Sequence, residues 1–93
     1  MRATLYGNVI AESDDTVSVR GYDYFPLEAV RTEWLEKAPR TPKDFECPHG
    51  VQFYDVVING ERHPRNAWIY EAPQPWMKAT ADRVGFWENV KVS

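Results

Sequence analysis

The chain has 93 residues, of which 43% are hydrophobic and 14% aromatic, and its formal net charge is -3. This length fits a single domain spanning residues 1–93 and leaves no room for a second one. The acidic balance argues against nucleic acid as a partner, and no run approaches the roughly 18 apolar residues that a membrane span needs, so no membrane partner is expected. With one cysteine and no signal-peptide core after Met1, the expected location is the cytoplasm.

The first half of the chain predicts a meander of short strands. Residues 4–13 form two strand segments with a break at Gly7-Asn8, and residues 16–20 alternate apolar and polar side chains with period two. Pro26 fits the first position of a short helix or 3₁₀ turn over residues 27–31. Residues 33–36 predict another short strand. Residues 38–44 contain two prolines and predict a loop without regular structure.

The second half predicts a hairpin followed by a final strand. Residues 51–58 form the clearest strand, and Asn59-Gly60 favours the positive φ angles of a type I′ turn. The returning strand is predicted over residues 66–71, which places residues 62–65 just beyond the hairpin tip. Residues 76–82 predict two helical turns and residues 84–92 a strand. The expected fold is therefore mainly β, a small curved antiparallel sheet with one or two short helices.

A set of spaced residues resembles a known bacterial family. The residues that carry the resemblance are Tyr24, Phe25, Pro26, Glu28, Val30, Arg31, Cys47, Pro48, Gly50, Tyr54, Ala67, Trp68, Tyr70, Pro73, Gly85, Phe86 and Trp87. Together they look like the family catalogued as domain of unknown function 427, and the match spans nearly the whole chain. The resemblance implies a sheet-rich fold similar to the β-tent, or Mss4-like, architecture. It also brings a nucleotidyltransferase-like label that is sometimes given to the family.

The chain departs from the family at the cysteine motif. Members often read Cys-Pro-any-Lys-Gly, whereas Cys47-Pro48-His49-Gly50 is one residue shorter and has no lysine. A phosphate-binding role for that lysine therefore cannot be carried over, except to His49. A nucleotidyltransferase also needs carboxylates that hold Mg²⁺ beside a phosphate cradle, and Asp14-Asp15 is more simply a solvated turn. The residues themselves do not support the transferase label.

Cys47 and His49 are the candidate catalytic residues. In an extended segment their side chains would share one face, close enough for a thiolate and imidazolium pair. The alternative is a turn at Pro48 with Cys47 as a packed thiol, and this is the commoner outcome for a lone cysteine. Cys47, His49 and His63 supply at most three soft ligands without a Cys-x-x-Cys pair, so no metal site is expected.

The aromatic side chains suggest a binding groove. Trp68 and Tyr70 share one face of their predicted strand, and a core this small has little room to bury every ring. The expected ligand-binding residues are Tyr24, Arg31, Tyr54, Trp68 and Tyr70, with Arg31 as the cation that meets an anionic group. Two plainer interpretations are that these rings only pack the core and that Arg31 only pairs with a neighbouring glutamate.

Three functions remain open from the sequence. The first is binding of a small molecule or short peptide in an aromatic-lined groove, and the second is an enzyme that uses Cys47 with His49. The third is an interaction module that presents an edge strand to a partner or to a second copy, as in a homodimer. No residue pattern identifies a cofactor.

Overall fold

The computed structural model describes residues 1–93 as nine strands in two antiparallel sheets. The strands are β1 (Arg2–Leu5), β2 (Asn8–Glu12), β3 (Val17–Val19), β4 (Tyr22–Pro26), β5 (Leu35–Lys37), β6 (Val51–Ile58), β7 (Glu61–Tyr70), β8 (Arg83–Phe86) and β9 (Lys91–Val92). The small sheet has the order β2-β1-β9, and the large sheet has the order β3-β4-β8-β7-β6-β5. The mainly β fold expected from the sequence is confirmed.

The helical segments are short. One α-helix, α1, covers Pro42–Phe45, and 3₁₀ helices cover Leu27–Ala29, Thr32–Trp34 and Pro75–Thr80. Pro26 precedes the first of these as its cap, while the helical turns predicted over residues 76–82 form the last. None of these helices has the length and apolar character needed to cross a lipid bilayer.

Three of the sheet connections are two-residue hairpins with glycine at the second position. They are Tyr6-Gly7 (φ 47° and 84°), Arg20-Gly21 (53° and 86°) and Asn59-Gly60 (52° and 79°). Two successive positive φ angles define a type I′ turn, whose twist matches that of the flanking strands. The predicted Asn59-Gly60 turn is confirmed. Tyr6 and Arg20 occupy a position that normally favours Asn, Asp or Gly.

The main core lies between the two sheets. Ten of its twelve buried residues come from strands of the two sheets, and Val30 and Val90 come from connecting segments. The full set is Ala3, Leu5, Ile10, Ala11, Phe25, Val30, Val56, Ile58, Ala67, Val84, Phe86 and Val90. Phe25 and Phe86 meet edge to face with ring centroids 5.7 Å apart. The opposite face of the large sheet carries a second buried cluster around Tyr24, Val51 and Trp68. Because alternate residues of a strand point to opposite faces, Tyr24 and Phe25 belong to different clusters.

The prediction for residues 62–65 was wrong. They lie within β7 and not beyond the hairpin tip, because β7 begins directly after Gly60. The strand accommodates Pro64 because the β6–β7 pairing contains an irregularity, where His63 faces Val56 and Ala67 faces Tyr54. Proline lacks the N–H that a regular ladder requires. A bulge leaves some residues without a ladder partner, and proline is tolerated at such positions.

The prediction of an irregular loop over residues 38–44 was wrong at its end. Thr41 caps α1: its hydroxyl accepts the Asp44 N–H at 3.3 Å, and its own N–H donates to Asp44 Oδ2 at 2.9 Å. Pro42 occupies the first turn, where a missing N–H has no cost. The reciprocal capping pair therefore supports a single helical turn.

The last predicted strand is divided between the sheets. β8 ends at Phe86, the N–H of Val90 bonds the carbonyl of Trp87, and Glu88 has a φ of 60°. This turn redirects the chain so that β9 pairs with β1 in the small sheet. The strand predicted over residues 33–36 forms as β5, displaced by a 3₁₀ turn that ends at Trp34.

Candidate functional site

An open cavity of about 150 Å³ lies on the face of the large sheet opposite the main core. Every side chain that lines it is hydrophobic: Tyr22, Val51, Phe53, Trp68, Tyr70 and Trp87. We call this the aromatic cavity. The register of the sheet brings these residues together, because Phe53 faces Trp68 and Val51 faces Tyr70 across β6 and β7. An aromatic cavity of this kind suits an apolar ring and offers no charged group of its own.

Trp68 forms the floor of the cavity and is only 4% exposed. The rings of Tyr22, Tyr24 and Trp87 meet its indole edge-on, with centroids 5.1, 5.8 and 5.5 Å away. On its other side the indole lies against Gly85 of β8, where a Cβ atom would come within 2.6 Å of Cε2 and Cζ2. The floor therefore depends on glycine at position 85, which faces Trp68 in the sheet.

Not every polar atom around this floor has a hydrogen-bond partner. The Trp68 Nε1–H is buried and has no hydrogen-bond partner. Burial raises the pKa of the neighbouring Tyr24 hydroxyl, the nearby Tyr70 hydroxyl raises it further, and the Trp68 side chain opposes the rise. Tyr24 is therefore a neutral phenol at physiological pH. A buried N–H without an acceptor is unfavourable by about 1–3 kcal/mol, and the Trp68 side chain is still close enough to the Tyr24 hydroxyl to act on its pKa.

Hydrogen bonds and an ion pair hold one wall of the cavity in place. Trp87 stacks on Phe53 at 5.8 Å with 23° between the ring planes, and its Nε1–H donates to the Arg65 carbonyl at 2.5 Å. The Arg65 guanidinium lies 4.0 Å from the Phe53 ring and donates to both carboxylate oxygens of Asp44, at 2.8 and 3.1 Å. Asp44 in α1 is thus connected through Arg65 to the cavity wall.

Replacing Trp87 with phenylalanine tests that wall. Trp87→Phe keeps an aromatic ring over Phe53 but removes the hydrogen bond to the Arg65 carbonyl. We expect a loss of about 1–2 kcal/mol in the free energy of unfolding, measured by urea denaturation, because the carbonyl loses its donor and some packing is lost. A variant as stable as the wild type would show that this bond contributes nothing to the wall.

The structure brings together some of the predicted binding residues and separates others. Trp68 and Tyr70 line the aromatic cavity, and Tyr24 packs behind them. Tyr54 instead packs against the main core from the opposite face of β6, where burial raises the pKa of its hydroxyl. Arg31 lies in a separate hollow beside β2. Tyr54 and Arg31 therefore do not border this cavity, and their role in ligand binding stays a prediction.

Arg31 is engaged in local contacts. Its guanidinium lies 5.2 Å from the Trp34 ring and 3.7 Å from Glu33 Oε2. The nearby glutamate offers the simple ion pair that the sequence also allowed.

The Cys47 segment forms a turn and not a strand. The N–H of Gly50 donates to the Cys47 carbonyl at 3.2 Å, and Gly50 has a φ of 65°. Cys47 is half-buried beside the second cluster. The extended segment that would place the Cys47 and His49 side chains on one face is therefore absent. The catalytic role of these two residues stays a prediction.

His49 is buried between two aromatic rings. Its imidazole meets Tyr70 at 5.3 Å and Trp76 at 4.8 Å, and its Nδ1 accepts the backbone N–H of Gln74 at 3.0 Å. This bond places the proton of the neutral ring on Nε2. His49 therefore supports the segment after β7 and the outer edge of the aromatic cavity. No group of three or more His, Cys, Asp or Glu side chains in the chain is arranged to hold a metal ion.

The five predicted binding residues do not include four residues that line the cavity and one that shapes it. Tyr22, Val51, Phe53 and Trp87 line it, and Gly85 supports its floor. The alternation of side chains along β6 places Val51 and Phe53 on one face of the strand. This pattern was sufficient to predict both as residues of the groove. Local sequence does not bring Gly85 or Trp87 close to Trp68, because both reach the site through the pairing of β8 with β7.

The comparison with known proteins agrees with the resemblance seen in the sequence. Residues 1–93 match the family model described as "Domain of unknown function (DUF427)". No curated protein matches the chain. Since the family model covers the whole chain, this protein belongs to the family of domain of unknown function 427.

Proposed function

We propose that this protein is a binding module that holds a small planar ring in the aromatic cavity. The observation that carries the proposal is a preformed, open cavity of about 150 Å³ lined only by hydrophobic side chains, five of them aromatic. Pockets of this kind, apolar with few polar groups, are where proteins usually bind small molecules. An apolar cavity of about 150 Å³ is large enough for one benzene-sized ring.

The orientation of the walls favours a planar ligand over a bulky aliphatic one. Phe53 and Trp87 are nearly parallel, and Tyr22 and Trp87 both stand edge-on to Trp68. Stacked and edge-to-face contacts with a guest ring each contribute about 0.5–1.5 kcal/mol beyond area burial. A saturated ring of similar size buries comparable apolar area but lacks these contacts.

The test compares benzyl alcohol with cyclohexylmethanol. We expect benzyl alcohol to bind with a Kd on the order of 1 mM, as suits a ligand of eight or so heavy atoms. Cyclohexylmethanol should bind at least about fivefold more weakly, because it loses the stacking contribution. Protein-observed NMR titration gives both constants and shows whether the shifted signals come from the cavity residues. Equal affinities, or no binding of either compound, would contradict the proposal.

Two neighbouring residues of β6 supply a matched pair of variants. Phe53→Leu removes one wall of the aromatic cavity, and Tyr54→Leu removes a ring from the opposite face of the same strand. We expect Phe53→Leu to weaken benzyl alcohol binding by about fivefold and Tyr54→Leu to change it by less than about twofold. If both variants weaken binding equally, the ligand responds to the stability of the sheet and not to the cavity.

A further inference from the structure

Arg20 differs from every other arginine in the chain. Six of the seven arginines lie within ion-pair distance of a carboxylate. Those pairs are Arg2 with Glu12, Arg31 with Glu33, Arg40 with Glu71, Arg62 with Glu36 and Asp55, Arg65 with Asp44, and Arg83 with Asp15. The Arg20 side chain has no ion pair, although the protein carries a net charge of -3. An arginine left uncompensated in an acidic protein is available to an external anion.

A series of ring contacts connects the Arg20 guanidinium to the lining of the aromatic cavity. Arg20 stands at the tip of the β3–β4 hairpin, and Tyr22, which lines the cavity, begins the next strand. The guanidinium is 4.5 Å from the centroid of the Trp76 ring, which is 60% exposed. Trp76 in turn packs on His49, and His49 packs on Tyr70 of the cavity lining. These contacts place the unpaired cation on the same side of the sheet as the cavity.

The local backbone does not explain why arginine occupies this position. Arg20 has a φ of 53°, nearly the same as the 52° of Asn59 in the other type I′ hairpin of the large sheet. Asparagine suits this conformation, whereas a long side chain is strained in it by about 1 kcal/mol. The stacking of the guanidinium on Trp76 orients the side chain and offsets part of that strain.

We propose that the ring bound in the aromatic cavity carries a carboxylate, and that this carboxylate pairs with Arg20. The ligand class is an arylalkyl carboxylate: the ring enters the cavity, and the alkyl chain carries the anion toward the guanidinium. This inference rests on the proposed function, because it requires a ring in the cavity. It assigns to Arg20 the role that the sequence suggested for Arg31, whose charge is already met by Glu33.

The other basic side chains near the cavity are poorly suited to the role. Arg65 lies over Phe53, but both of its terminal nitrogens donate to Asp44. His49 uses Nδ1 to accept the Gln74 N–H. Lys78 follows Trp76 by two residues but makes no cation–π contact with it, and it serves as a useful comparison.

The experiment titrates 3-phenylpropanoate and its neutral counterpart 3-phenylpropanamide against the whole protein at pH 7 and low salt. We expect the carboxylate to bind about fivefold or more tightly than the amide, and the ratio to fall as salt is added. The variant Arg20→Asn should bring this ratio to about one while leaving amide binding within about twofold. Because asparagine suits the turn, this variant should fold as well as the wild type.

Arg31→Gln and Lys78→Gln are the controls. Arg31 also stacks on a tryptophan, so its replacement removes the same type of contact at a distant site. Both control variants should keep the wild-type preference for the carboxylate. The inference is overturned if the two ligands bind the wild type equally, if Arg20→Asn keeps the preference, or if Lys78→Gln removes it. If neither compound binds at all, the proposed function itself fails, which is a distinguishable result.

Discussion

Gly85→Ala should lower the free energy of unfolding by about 3 kcal/mol, the upper end of the usual cost of overpacking. The new methyl carbon would stand 2.6 Å from Cε2 and Cζ2 of Trp68, well inside contact distance. The indole has little room to retreat, because Tyr22, Tyr24 and Trp87 pack against its edges and faces. The backbone of β8 is equally constrained by its pairing with β4 and β7.

Urea denaturation of Gly85→Ala and two further variants separates the clash from other effects of alanine. Gly60→Ala is the control, since nothing lies within 4 Å of its added Cβ and only its φ of 79° resists the change. We expect a cost of about 1 kcal/mol there. Trp68→Phe combined with Gly85→Ala should be less destabilised than the sum of the single variants, because a smaller ring gives the methyl group room. Strict additivity would show that Gly85 matters for a reason other than Trp68.

Asp44→Asn should lower the free energy of unfolding by about 2 kcal/mol, between the values for exposed and for buried ion pairs. Asp44 is 6% exposed and receives two hydrogen bonds from Arg65, whose side chain is 34% exposed. The substitution removes the charge from this pair and leaves Arg65 without a counterion over Phe53. The expected result includes looser packing of Phe53 against Trp87.

The same pair predicts how stability depends on pH. Hydrogen bonds from Arg65 lower the pKa of Asp44 from 3.8 to about 2, burial opposes the change, and the Thr41 N–H adds to it. A carboxyl with a depressed pKa in the folded state stabilises fully above its unfolded pKa, and its contribution is lost as pH falls toward the folded value. Wild-type stability should therefore decline between about pH 4 and pH 2 more steeply than that of Asp44→Asn.

Asp15→Asn provides the matched control for this prediction. Asp15 also pairs with an arginine, Arg83, at 3.3 Å, but its side chain is 73% exposed. Asp15→Asn should lower the free energy of unfolding by less than about 0.5 kcal/mol. It should leave the decline of stability between about pH 4 and pH 2 unchanged. Identical acid limbs for the wild type and Asp44→Asn would contradict a role for the Asp44 and Arg65 pair.

The hairpin of β6 and β7 shows how far local sequence reaches. Asn59-Gly60 and the alternation of β6 predicted the strand, the turn and the side-chain faces. Counted from the turn alone, Phe53 would face Asn66. The irregularity around Pro64 moves the pairing by two residues, so Phe53 faces Trp68. A shift of two keeps every side chain on its face, so the alternation gives no sign of it.

The bulge depends on partners that are distant in sequence. The N–H of Arg65 donates to Asp55 at 3.0 Å, and the carbonyls of Arg65 and Asn66 accept from the Trp87 side chain and backbone, at 2.5 and 3.0 Å. These bonds satisfy backbone groups that the ladder leaves free. Trp87 reaches them only because β8 lies beside β7, and this adjacency could not be deduced from residues 61–70.

By itself the sequence determined the mainly β class, the clearest hairpin and the abundance of rings on one face of β6 and β7, since these follow from local periodicity and turn chemistry. It also pointed to Trp68 and Tyr70 as binding residues. Only the tertiary structure decided that Tyr22, Phe53 and Trp87 close the cavity around them, that Tyr54 faces the main core, and that Arg31 pairs with Glu33 while Arg20 stacks on Trp76 without an ion pair. Strand order, register and ion pairing join residues far apart in the chain, and periodicity carries no information about which of them meet.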